Sequence, residues 1–169
     1  MAEIHRGRWT ANVEGDFVVF LIGMRINRLR AVGEWLPVAR AMGPMLRELV
    51  PDETSGLLGY RVFPGLRSVT LLQYWRSSEH LQTFANAEDR THRPAWLAFF
   101  QRSWQGGAVG IWHETYVVPA GSYESIYGNM PLTGLAKATQ LVPVRRLGES
   151  AGQRLSRPGR AEFSAPDGV

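Results

Sequence analysis

Two histidines and the flat side chains around them are the residues that propose a chemistry. His92 opens a helical stretch after a break at residues 87–91, and Trp96, Phe99 and Phe100 follow it on that stretch. His113 stands 21 residues later, in the run Ile111-Trp112-His113-Glu114-Thr115-Tyr116. Imidazole suits iron, and no cysteine is present to compete for it. An imidazole at a helix start, a second on a neighbouring strand and a wall of large rings (Phe84, Trp96, Phe99, Phe100, Trp112) are what a haem pocket needs. They are equally what an aromatic core with two satisfied histidines looks like, and residue types alone leave both readings open.

Strand alternation sets Ile111, His113 and Thr115 on one face and Trp112, Glu114 and Tyr116 on the other. On a buried face, His113 is either a general acid/base with a pKa adjusted by burial or a neutral side chain with both nitrogens bonded. Arg25 and Asn27 lie near the end of an otherwise apolar strand, where a strand can open onto a cleft. They are candidates to orient a substrate. His80 sits at a helix start and is expected to be exposed, and His5 lies in the N-terminal segment. There is no HExxH, no phosphate-cradling glycine loop, no GxSxG and no CxxC. Glu88-Asp89 and Asp52-Glu53 read as loop solvation.

These residues need a scaffold. Residues 16–27 (DFVVFLIGMRIN) form a nearly continuous β-branched and aromatic run, read as a buried central strand. Residues 31–50 place Trp35, Val38, Ala39, Met42, Met45, Leu46 and Leu49 at helical spacing, stopped by Pro51, with a kink or two short helices expected at Gly43-Pro44. Strands follow at 57–63 and 68–75, joined by a Pro64-Gly65 turn. Next comes a helix at 79–86 capped by Ser77 or Ser78, a second helical piece at 92–103, and a last strand at 108–119. The order β-α-β-β-α-β is the ferredoxin-like α+β pattern. Its sheet carries helices on one face, so the other face needs a cover. A second copy is the simplest cover, which predicts a homodimer. The expected organisation is an N-terminal arm (1–15), the α+β domain (16–119), a loop-rich extension over the pocket (120–142) and a disordered tail (143–169).

Composition narrows the function classes. The hydrophobic content of 44% and charged content of 20% fit a globular protein with a real core. With no cysteine, disulfides, thiolate nucleophiles and cysteine-ligated clusters are excluded, which fits a cytoplasmic setting. The N-terminus lacks the apolar run of a signal peptide, and residues 17–22 are too short to span a bilayer, so no membrane partner is expected. The net charge of +4 is spread along the chain without a clustered basic helix. A solvated surface is therefore preferred over nucleic-acid binding.

The segment YWRSSEHLQTFANAEDRTHRPAWLAFF, with the later IWHETYVVPAGSYESIYGNMPLTGL, resembles the C-terminal half of the aldoxime dehydratases. Those are haem enzymes of the dimeric α+β barrel superfamily that dehydrate R–CH=N–OH to a nitrile. The chain resembles still more closely a short, uncharacterised monooxygenase-like family of the same superfamily. The resemblance covers residues from about 15 to 135. It implies haem b as cofactor, His92 as axial ligand of its iron and His113 as a distal catalytic residue acting on a small N–O substrate or in a monooxygenase reaction. The dehydratases hold two ferredoxin-like halves in one chain, whereas this chain has one. Their distal Ser and Arg have no match here and are not carried over. Two other readings stand beside this one: a haem-free small-molecule monooxygenase of the same barrel type, and a non-catalytic ligand-binding or stress protein.

Overall fold

The apolar run that begins at Phe17 becomes the strand on which the larger sheet is built. The computed structural model describes residues 2–49, 53–86 and 106–156. In chain order the elements are β1 (Ile4–Asn12), β2 (Phe17–Ile26), α1 (Val32–Leu49), β3 (Leu57–Pro64), β4 (Ser68–Trp75), α2 (Ser78–Asn86), β5 (Val109–Val118), β6 (Tyr127–Pro131), α3 (Gly134–Ala138), β7 (Gln140–Pro143) and α4 (Ala151–Leu155). They fall into two units, Val18–Tyr116 and Met1–Phe17 with Val117–Val169.

The larger unit is the expected ferredoxin-like sheet, ordered β3-β4-β2-β5. β2 runs antiparallel to β4, in register from Val18 opposite Trp75 to Arg25 opposite Ser68. β3 returns along β4 through the Pro64-Gly65 turn, closed by Gly65 N–H donating to the Ser68 carbonyl at 2.7 Å. The last residues of β2 meet the start of β5, where Asn27 N–H donates to the Ala108 carbonyl at 2.8 Å. Residues directly opposite in such ladders share a face. Val18, Phe20, Ile22, Met24 and Ile26 therefore share one face with Val69, Leu71, Gln73 and Trp75.

Both helices cover that face. Trp35, Val38 and Ala39 of α1, at spacings of three and four, pack against Met24, Val109, Ile26, Val69 and Ile111. Leu81 and Phe84 of α2 close over Val18 and Trp75, with Phe20 and Leu57 beside them. Trp75 is fully buried. Removing on the order of 200 Å² of indole from water, at about 25 cal/mol per Å², contributes roughly 5 kcal/mol before the cost of ordering it. Gly43-Pro44 does not divide α1, which is a single helix in its backbone bonding. One missing N–H removes one bond, a loss that a helix packed through Trp35, Val38 and Ala39 can tolerate.

The smaller unit departs from expectation. Residues expected to form an arm are instead β1, the central strand of an antiparallel sheet ordered β6-β1-β7. The segment expected to be loop-rich supplies β6, α3 and β7. Of the segment expected to be disordered, residues 144–146 form a 3₁₀ turn and 151–155 form α4, with a capping box between Ser150 and Gln153; residues 157–169 lie outside the described part. Side chains pin this unit together. Thr10 Oγ1 donates to the Ser125 carbonyl at 2.7 Å, Val13 N–H donates to Tyr123 Oη at 2.7 Å, and the Phe17 and Tyr123 rings meet edge to face at 5.4 Å. Arg154, almost wholly buried, grips Glu124 and the Gly148 carbonyl.

Candidate active site

β5 is an edge strand, and its alternation separates the candidates as the sequence predicts. His113 lies on the helix-covered face, its ring centroid 5.9 Å from that of Phe20. It is exposed, not buried as expected. The apolar cover of α1 on β5 reaches Val109 and Ile111, and among the described residues the ring contact of His113 is with Phe20. An exposed imidazole beside an apolar ring can hold a proton and pass it to a bound molecule.

Trp112 points to the opposite face. Its indole lies over Gly23 of β2, where a Cβ would clash with its Nε1 and Cε2. Arg25, two residues along β2, is exposed on that same face, away from His113. The structure therefore divides the predicted set. His113 is on the helix side, and Trp112 and Arg25 are on the open side. Asn27 is engaged elsewhere: its Nδ2 donates to the Gly107 carbonyl at 3.1 Å and so fixes the entry to β5. Phe84, expected to wall a pocket, is packed in the core with its ring 5.5 Å from Trp75. His92, Trp96, Phe99 and Phe100 lie outside the described residues.

His80, expected to be exposed, is half-buried at the start of α2. Ser77 Oγ accepts its backbone N–H at 3.3 Å and pairs with its Nδ1 at 2.7 Å, which makes Ser77 the cap of the helix. The imidazole occupies the space over Gly56, whose φ of +76° suits glycine. That packing accounts for His80 structurally.

One residue of the helix-side face escaped the sequence reading. Gln73 is 2% exposed and stands directly opposite Phe20 on β2 and Tyr60 on β3. Its Oε1 accepts the indole N–H of fully buried Trp75 at 2.8 Å. The signal was present in SVTLLQYW: a glutamine occupies the register otherwise held by Val69, Leu71 and Trp75. Tyr60, Gln73, Phe20 and His113 thus run across all four strands on one face, without a carboxylate, lysine or arginine among them.

The open face carries half-buried Val19, Leu21, Leu72 and Tyr74 and the more exposed Phe63, Trp112 and Tyr116. At the β3 edge the Arg61 guanidinium sits 4.9 Å from the centroid of Phe63. At the β5 edge Tyr116 Oη donates to the Glu114 carboxylate at 2.9 Å, which holds the phenol's pKa above its ordinary value.

Comparison with known proteins bears on this arrangement. A family model described as monooxygenase af470-like matches residues 17–135. Monooxygenase af470 of Aspergillus fumigatus is 28% identical over 151 residues, covering 76% of this chain and 53% of that protein. The chain thus spans about half the length of that curated relative. The crystal structure of an aldoxime dehydratase (OxdRE) in complex with butyraldoxime superposes with a TM-score of 0.60 at 14% identity, over 80% of this chain and 38% of that one. At that identity the likeness is one of fold. No helix among the described residues is long and apolar enough to cross a membrane.

Proposed function

The chain belongs to the monooxygenase af470-like family, and we propose that it is an oxygenase-type enzyme acting on a small, flat organic substrate at the helix-covered face of its larger sheet. The observation that carries this reading is the exposed imidazole of His113 beside the Phe20 ring. An apolar ring to lie against and a group able to move a proton are the minimum that positioning and acid/base work require. In this reading His113 exchanges a proton with the reacting oxygen, while Phe20 orients the ring plane. A cytoplasmic setting belongs to the same proposal. Oxygen uptake with a panel of phenolic acceptors and aldoximes, with and without a reductant, tests it. Uptake that depends on His113 is expected, and no uptake or turnover with any member would leave the ligand-binding alternative.

Haem b enters as a second reading, and the described residues fit it on one count. The row Tyr60, Gln73, Phe20 and His113 offers three rings and one amide to a flat apolar macrocycle. His92 would be the axial ligand of the iron, with Trp96, Phe99 and Phe100 beside the ring. Bound there, the group would supply an open coordination position for dioxygen or for the nitrogen of an N–O substrate, which leaves lyase and oxygenase chemistry both available. His113 would hold the proton that the leaving or reduced oxygen takes up. An absorption spectrum separates the two readings: a Soret band in the purified protein, or one gained on adding hemin, supports haem, and a colourless protein that refuses hemin supports the haem-free oxygenase.

A homodimer completes the proposal. The apolar open face of the larger sheet is the surface a second copy would cover. Light scattering showing a stable monomer at micromolar concentration would remove it.

A further inference from the structure

We infer that the second copy sits on the open face about a two-fold axis running along the strands, so that Arg61 of each copy pairs with Glu114 of the other; the inference rests on that face being covered by a second copy. The ladders place Arg61 opposite Leu72, and Leu72 opposite Leu21. β5 completes the row. Asn27 meets Ala108, and four residues along each strand Gly23 lies under Trp112, so β2 and β5 run antiparallel in step. Two residues further on, Leu21 falls beside Glu114. One row across the open face therefore begins with a cation on the β3 edge, passes two half-buried leucines and ends with a carboxylate on the β5 edge.

Three strand spacings set these edges about 14 Å apart, so the two charges cannot meet within one copy. Both side chains are exposed, and each is held by a ring two residues along its own strand. The Arg61 guanidinium lies 4.9 Å from the centroid of Phe63, and the Glu114 carboxylate accepts the Tyr116 hydroxyl at 2.9 Å. That carboxylate keeps a second oxygen for a guanidinium. A two-fold along the strands lays the β3 edge of one copy over the β5 edge of the other. Arg61 then faces the partner's Glu114 at both rims, and Leu72 faces the partner's Leu21 between them. Facing sheets pack roughly 10 Å apart, a gap that an arginine and a glutamate span together. A two-fold across the strands would instead set each edge against itself, cation to cation and carboxylate to carboxylate. Charges at the rim of an apolar contact fix its orientation more than its strength.

Sedimentation of the wild type and three variants tests the arrangement. Arg61→Glu and Glu114→Arg should each raise the dimer dissociation constant at least about tenfold, because like charges then meet at both rims. Arg61→Glu/Glu114→Arg, carrying both changes, should return it to within about threefold of the wild type. Single reversals that leave dimerisation unchanged, or a double reversal that dimerises no better than either single one, would overturn the pairing. Should a variant fail to fold, thiol cross-linking decides, since the chain has no cysteine of its own. Arg61→Cys and Glu114→Cys copies, mixed and treated with a short bismaleimide, should link into covalent dimers that neither forms alone. A mixture that yields none, or covalent dimers from either variant by itself, would also overturn it. A wild type that is monomeric at micromolar concentration removes the second copy altogether, whereas a wild-type dimer insensitive to these changes removes only this orientation.

Discussion

The indole of Trp112 on β5 fills the place that a side chain at position 23 on β2 would take. A central strand seldom benefits from glycine, which adds no packing and weakens the ladder. Here the missing Cβ lets an edge-strand tryptophan lie over the middle of the sheet's open face. Gly23→Ala should push the indole aside and cost about 1–3 kcal/mol, as overpacking does. Urea unfolding followed by tryptophan fluorescence measures the loss. Unchanged stability would mean that the ring moves freely and is not seated.

If that face meets a second copy, Trp112→Glu should weaken the pairing more than it weakens the fold. Trp112 is 38% exposed, so part of its ring remains free to meet a second copy. The substitution would place a carboxylate in the proposed contact, and an unpaired charge is costly to bury. Sedimentation should show monomers at concentrations where the wild type is dimeric, with the helix content of both proteins equal by circular dichroism.

How legible the fold was in the sequence depended on where each strand buries its side chains. β2 announces itself as a nearly continuous apolar run and β4 by giving alternate residues to the core, and the observed Ser68–Trp75 coincides with the expected strand. β1 does not. Of its nine residues only Thr10 and Ala11 are buried, and its pairing with β6 and β7 runs through backbone bonds that any sequence can make. The described part of the C-terminal segment did carry a readable mark, since Ser150 and Gln153 are the S-x-x-Q of a capping box before α4. His113 was legible in its face but not in its exposure, because alternation fixes direction and says nothing about where a helical cover stops.

Tyr116 offers a pH reading on the open face. Its phenol donates to the Glu114 carboxylate, and a tyrosinate there would face that negative charge, so its pKa lies above the ordinary value of 10.0. Raised in the folded state, the group favours folding below the unfolded pKa, and that contribution is lost as pH rises through the folded one. Absorbance of the phenolate followed with pH should therefore show one tyrosine titrating late. Glu114→Gln should return it toward the ordinary value. A midpoint that stays put would mean that the bond to Glu114 does not persist in solution.

Arg154 should matter more than its position near the chain's end suggests. Its side chain is 6% exposed and its partner Glu124 25%, and the same guanidinium donates to the Gly148 carbonyl at 2.8 Å. Removing one member of a buried pair leaves the other uncompensated, so Arg154→Ala is expected to cost about 3 kcal/mol or more. Glu124→Gln keeps an acceptor and should cost less. Hydrogen exchange should locate the loosening in β1, β6 and β7 while the β2–β4 ladder keeps its protection.

The two histidines should separate when each is replaced, because their proposed roles differ. His113 is exposed and, among the described residues, its ring contact is with Phe20, so His113→Ala should leave stability within about 0.5 kcal/mol. If His113 moves the proton, the same change lowers turnover by about 10²–10⁴-fold. Any Soret band the wild type shows should persist, since His113 is not the proposed ligand. His92→Ala should do the reverse to the pigment, abolishing or weakening haem retention after hemin is added. In a haem-free oxygenase, His92→Ala would change no spectrum, while His113→Ala would still lower oxygen uptake. Turnover unaffected by His113→Ala would remove the acid/base role in either case and move the search to the segment that follows α2.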